Sequence, residues 1–250
     1  MSVTTTTPES PAPGEHRPSA IRRALSGSAG RNLGLVIALI LIVLVGWITA
    51  QERFISLDNF ETIVRYGSIL GVVAIGTTFV ITAGGIDLSV GSVMGLASVV
   101  ASLSWVQNAA SQSTWLLMVV VAIGVGGLAG LVNGLVIAYG KVVPFIATLA
   151  MLVAARGLAE IFANKQTQVV NVTGFLSFFR GDLLGISLLI WIFVLAAVVG
   201  WFLLARTTYG RRTIAIGGNF EAARLAGLNV KRHTVSLYVL GASRPVSRAS

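Results

Sequence analysis

The chain alternates long apolar runs with short polar connections. The runs are Leu33 to Ala50, Ser68 to Ala83, Val90 to Val106, Trp115 to Tyr139, Pro144 to about Ala163, and Leu183 to Ala205. Each holds about 16 to 25 residues, and a hydrocarbon core of about 30 Å needs about 20 helical residues at a rise of about 1.5 Å. Strands are excluded, because the runs lack period-2 alternation and an open sheet would leave unpaired backbone groups in lipid. The pattern predicts an all-α, polytopic membrane protein with about six complete spans. A seventh run begins at about Val235 and is lost after Ala242, where the polar tail 243–250 carries Arg244, Pro245 and Arg248. Eight apolar residues cannot cross a bilayer.

Composition supports lipid exposure. Of 250 residues, 55% are hydrophobic and 11% charged, against about 25% charged in a soluble domain. There is no cysteine, and His16 and His233 lie in polar segments. Disulfides and cysteine or histidine metal sites are therefore not expected. The segment 1–32 is rich in Thr, Pro, Ser and Arg and reads as a disordered cytoplasmic tail, too long and polar for a signal-peptide leader.

The net charge of +9 invites a nucleic-acid reading, but its distribution favours membrane topology. With the N-terminus inside, the cytoplasmic segments hold Arg17, Arg22, Arg23, Arg31, Lys141, Arg206, Arg211, Arg212, Arg224, Lys231 and Arg232. The external ones hold only Arg53, Arg65, Lys165 and Arg180. That asymmetry is expected of a multi-pass protein of the cytoplasmic (inner) membrane with an internal N-terminus. No nucleic acid is needed to explain the basic balance.

Four stretches carry candidate chemistry. Between the second and third runs, Gly84, Gly85 and Asp87 interrupt the apolar sequence, with Ser89 placed to cap the next helix. This is either a discontinuous element on a translocation path or a tight turn at the interface. Gly126, Gly130 and Gly134 recur on one helix face beside Asn133, and Gly91 and Gly95 repeat the spacing; such stripes serve helix packing. Arg156 and Glu160 form an i, i+4 pair that could line a path, lock helices or snorkel to an interface. The fourth stretch lies in the basic loop 206–234. Asn219 can cap a short helix with Glu221 in its first turn, and Gly227 can stop it. Phe220 and Ala223 share its face with Gly227. About two turns are marginal in isolation. Such a helix docks into a partner's groove or lies on the lipid surface.

At these residues the chain resembles the permease subunits of bacterial ribose, xylose and related monosaccharide ABC importers. The resemblance is carried by Gly76 to Ala97 (GTTFVITAGGIDLSVGSVMGLA), Gly130 to Gly157, and Thr208 to Val230 (TYGRRTIAIGGNFEAARLAGLNV), and covers most of 33–242. It implies a permease transmembrane domain over 33–242 in which Asn219, Glu221, Ala222, Ala223, Arg224 and Gly227 form an ATPase-coupling helix. Gly84, Gly85, Asp87, Ser89, Asn133 and Arg156 are candidates for the translocation path. The implied partners are a cytoplasmic ABC ATPase subunit, an extracytoplasmic sugar-binding protein, a second permease copy as a homodimer, and membrane lipid. It also implies further spans beyond the seventh, so the expectation is a truncated or frameshifted product.

The chain has no Gly-x-x-x-x-Gly-Lys-Ser/Thr loop, so no cofactor is expected on it and ATP belongs to the partner subunit. No serine, histidine and acid arrangement suggests an enzyme. The expected function is sugar import by alternating access. The alternative is an ATP-independent secondary transporter coupled through Asp87 or the Arg156–Glu160 pair.

Overall fold

The computed structural model describes residues 28–242. The tail expected over 1–32 therefore lies outside the described residues up to 27, and the tail 243–250 lies wholly outside them. The described elements are helices α1 (Ser28–Ala50), α2 (Glu52–Ile55), α3 (Leu57–Thr82), α4 (Val90–Ala101), α5 (Ser104–Gln112), α6 (Leu116–Ala138), α7 (Pro144–Phe162) and α8 (Thr173–Arg180). A two-stranded antiparallel hairpin, β1 (Asp182–Leu183) and β2 (Ile186–Ser187), follows. Helices α9 (Leu188–Arg206), α10 (Thr208–Gly218), α11 (Phe220–Leu225) and α12 (Val230–Ala242) complete the order. The described residues divide into two compact units, 28–60 and 61–242.

In the first unit, α1 begins five residues before the apolar run, so residues 28–32 are helical rather than part of a tail. Its apolar side chains are exposed: Leu35 is 71% and Ile42 68% accessible. The Phe54 ring of α2 occupies the space beside Gly46. Ser56 accepts the Asn59 N–H at 3.2 Å. This bond lets α3 start at Leu57, eleven residues ahead of the apolar run that begins at Ser68, because a helix can project beyond the apolar band once its first N–H groups have partners.

The second unit is a helical bundle. Val93, Leu96, Ala129 and Ala155 join α4, α6 and α7 in one core. Val106, Ala110, Met118 and Val172 form another near the far ends of α5 and α6. Trp115, Phe175, Phe178 and Phe179 cluster at that same end, with Trp115 and Phe178 centroids 4.6 Å apart. The outward surfaces are apolar; on α9, Leu195 is 65% and Val198 56% exposed. Apolar area of this extent on several helices is the surface of a chain solvated by lipid.

Five described helices are long and apolar enough to cross a membrane, or six if the bent pair α4–α5 counts as one crossing. The third run is thus not a straight span as expected. It breaks after Ala101, and α5 turns 58° from α4. The bend is stabilised by polar groups: Ser102 Oγ donates to Ser98 O at 2.8 Å, and Gln107 Nε2 donates to Ser102 O at 2.7 Å and to Val169 O at 2.9 Å. The sixth run is also shortened. Its first residues form the hairpin, which turns at Leu184–Gly185, both with positive φ.

Candidate functional site

Three connections meet at one end of the bundle: 83–89, 139–143 and 207–229. The first ends α3 with a Schellman closure. The Gly84 N–H donates to Ile81 O and the Gly85 N–H to Val80 O, both at 2.9 Å. Gly84 has φ +79°, a conformation open to glycine without strain. Ser89 does not cap α4 through its side chain, contrary to the expectation. Asp87 instead closes the turn ahead of α4, its Oδ1 accepting the Ser89 N–H at 2.9 Å and the Ser89 hydroxyl at 2.6 Å. Ser89 Oγ, its proton so used, accepts Asn133 Nδ2 at 3.0 Å. Ser89 and Asn133 are buried at 1% and 3% exposure, so a broken helix inside a bundle has its freed polar groups satisfied by protein.

The opposite wall comes from α12. A Cβ at Gly130 would run into the Tyr238 carbonyl, and one at Gly134 would lie 2.7 Å from Val235 Cα. Backbone approach of this kind is what small residues permit. It sets Tyr238 beside the break, where its hydroxyl reaches Ile86 O at 3.4 Å. Thr148 reaches the same carbonyl at 3.4 Å, though its shorter bond, 2.9 Å, goes to Pro144 O. Gly126 is buried on the same helix as Gly130 and Gly134. Gly91 and Gly95 differ: a Cβ on either meets nothing within 4 Å, so among the described residues no helix packs against that stripe.

The short helix α11 has six residues, nearer one and a half turns than two. Asn219 Oδ1 accepts the Ala222 N–H at 2.9 Å. The other end repeats the Schellman closure, with Gly227 N–H donating to Arg224 O and Leu228 N–H to Ala223 O, each at 3.1 Å, around Gly227 at φ +83°. Ala223 alone of the helix is buried, packed in a small core with Ile216 of α10 and Val230 of α12. Phe220 does not share that buried face, as expected of it, but stands 51% exposed; Leu225 is 83% exposed. Glu221 and Arg224 pair at 2.9 Å on the open side.

A cavity of about 940 Å³ joins these parts. Gly84 and Gly85 line it from the break, Lys141 and Pro144 from the α6–α7 turn, Phe220, Glu221, Arg224 and Gly227 from α11, and Tyr238 from α12. The structure thus brings together the two glycine-rich strings of the sequence, more than 130 residues apart in the numbering. Arg156 is not brought to this place. It pairs with Glu160 at 3.5 Å, and the two side chains are 75% and 56% exposed. Tyr238, Thr148 and Lys141 were not singled out from the sequence. The signal for Tyr238 was indirect, because a stripe at Gly130 and Gly134 requires a close partner. No cluster of metal-ligating side chains occurs among the described residues.

Residues 59–243 match the family model described as the permease component of branched-chain amino acid transport systems. The chain belongs to that family. The permease is similar to the ribose import permease protein of Bacillus subtilis (strain 168), 38% identical over 213 residues that cover 84% of this chain and 63% of the relative. It is likewise similar to the L-arabinose ABC transporter permease protein of Azospirillum brasilense, 37% identical over 75% of this chain and 54% of the relative. The galactose/methyl galactoside import permease protein of Haemophilus influenzae is 32% identical over 80% of this chain and 65% of the relative. The permease therefore spans less than two thirds of the length of these relatives. No solved structure matches it.

Proposed function

We propose that the chain is the membrane-spanning subunit of an ATP-driven importer for a monosaccharide, moving its substrate by alternating access. The observation that carries this reading is the shared cavity: the break at Gly84–Gly85 and the helix α11 line one space, so displacing α11 is felt at the break. The relay is built from contacts. Ala223 ties α11 to α10 and α12. Helix α12 in turn lies against α6 at Gly130 and Gly134 and touches the break through Tyr238. Names of the relatives, taken with this geometry, support a sugar as substrate; ribose, arabinose and galactose types are all represented among them.

In this reading a cytoplasmic ATPase subunit grips α11 by its exposed Phe220 and Leu225 and by the Glu221–Arg224 pair, in the helix-in-groove manner. ATP is held by that subunit. An extracytoplasmic binding protein delivers the sugar, and a second permease copy completes the path. The end bearing α10 and α11 faces the cytosol, with the N-terminus on the same side of the inner membrane. The permease itself makes and breaks no covalent bond. An ion-coupled carrier is less well supported, because Asp87 is engaged by Ser89 and the Arg156–Glu160 pair is exposed.

The test uses side chains whose loss does not disturb the fold. An exposed i, i+3 ion pair contributes only about 0.2–0.5 kcal/mol, and Leu225 is exposed. Glu221→Ala and Leu225→Asp are expected to insert normally, and each to lower ATP-dependent uptake by about tenfold or more as ATPase binding weakens. Normal uptake with the ATPase retained in both variants overturns the coupling assignment. Uptake that persists without ATP while an ion gradient is intact overturns the importer class.

A further inference from the structure

A second pocket of about 450 Å³ lies between α10 and α12, bordering the large cavity at Ile216 and 227–229. Its polar lining is Tyr209, Arg212, Asn229, Arg232, His233 and Ser236, with no carboxylate among the lining residues. Among the described residues neither Arg212 nor Arg232 has an acidic group within 4 Å. The neutral groups form a fixed frame. Thr213 Oγ1 donates to Tyr209 O at 2.9 Å, so the 2.8 Å contact with His233 makes Nε2–H the donor. Ser236 Oγ donates to His233 O at 2.7 Å and accepts the Tyr209 hydroxyl at 3.1 Å. Asn229 Oδ1 accepts the Arg232 N–H at 3.1 Å, which leaves its amide N–H groups free.

The position is that of a membrane boundary. Tyr209 packs against Phe79, in the last turn of the membrane-crossing α3, with ring centroids 6.4 Å apart. Arg206, the last residue of α9, lies over the Trp201 ring at 5.6 Å. Aromatic and arginine side chains gather at the headgroup level of a bilayer. We propose that this pocket binds the headgroup phosphate of an anionic phospholipid, held by Arg212 and Arg232 with the Asn229 amide. Basic pockets at helix ends take such headgroups, and two guanidinium groups match phosphate oxygens better than two ammonium groups would. Burial, and then the charge of Arg212, hold the His233 pKa below the usual imidazole range. An anion seated there offsets Arg212 and raises it, which provides a direct readout.

The experiment measures retention of phosphatidylglycerol against phosphatidylcholine on the purified chain by native mass spectrometry. Phosphatidylglycerol is expected to be retained preferentially. Arg212→Gln and Arg232→Gln are each expected to weaken its retention by about fivefold, and the pair by about 25-fold. Arg211→Gln, on the same helix but outside the pocket, is expected to change it less than about twofold. Lysine at both positions keeps the charge without the planar fork and is expected to restore part of the retention, which a fold defect would not allow. In parallel, NMR titration of His233, one of two histidines in the chain, is followed with phosphatidylglycerol and with inorganic phosphate; the lipid is expected to raise its pKa. Equal retention by the double glutamine variant overturns the site. A His233 response to inorganic phosphate and not to the lipid overturns the lipid as occupant.

Discussion

Gly227 and Asn219 decide whether six residues remain a helix. The helix α11 is too short to persist on its own hydrogen bonds, and only Ala223 anchors it to its neighbours. Its ends therefore matter more than its middle. With φ at +83°, Gly227→Ala places a Cβ in the left-handed region and should cost about 1–2 kcal/mol. Asn219→Ala removes the bond to the Ala222 N–H and should cost about 1 kcal/mol. Both are local losses. Hydrogen exchange at 220–228 should quicken about five- to thirtyfold in either variant, while exchange in α6 and α9 stays unchanged. Asn219, Glu221 and Gly227 were legible as cap, first-turn acid and stop. The inward turn of Ala223 with Phe220 left outside was not, because it depends on where Ile216 and Val230 lie.

Among elements, the pair α6 and α12 shows how a local pattern gains meaning from its partner. The stripe Gly130–Gly134 is matched by the backbone of α12 at Tyr238 and Val235. The same spacing at Gly91–Gly95 is matched by nothing within 4 Å. Sequence spacing alone treats the two alike. Substitution separates them: Gly130→Leu must push α12 away, costing about 1–3 kcal/mol as overpacking does, with a lowered unfolding temperature in detergent. Gly91→Leu should leave that temperature nearly unchanged. The helix α12 itself begins at Val230, ahead of the apolar run, because Asn229 caps it through the Arg232 N–H. Asparagine before a basic stretch is a readable cap, but its weight rises only once α12 is seen to be packed.

For the whole molecule, crossings were legible wherever about 20 predominantly apolar residues ran on, as in α1, α6 and α9, and in α7 despite its Arg156–Glu160 pair. They were less so where polar contacts from distant residues intervene. No glycine or proline marks the bend after Ala101. It is stabilised by Gln107, which also reaches Val169 and accepts the Asn171 N–H, more than 60 residues away. The hairpin at 182–187 was hidden among leucines and an isoleucine that suit a helix equally well. The absence of cysteine makes the proposed sidedness directly measurable. Single cysteines in place of Arg211 or Lys231 should resist an impermeant thiol reagent in sealed cells and react after permeabilisation, whereas one at Lys165 should react in both. Labelling of the first two from outside would invert the orientation and with it the ATPase docking face.

The helix α4 is only 12 residues long, so it covers about 18 Å of a hydrocarbon core of about 30 Å. Its partner α5 leaves at 58° to it rather than prolonging it. Where water follows the polar groups at either end of α4, the transmembrane voltage drops over that shorter stretch. The electric field beside Asp87 and Ser89 is then steeper than across ordinary bilayer by a factor of about 1.7.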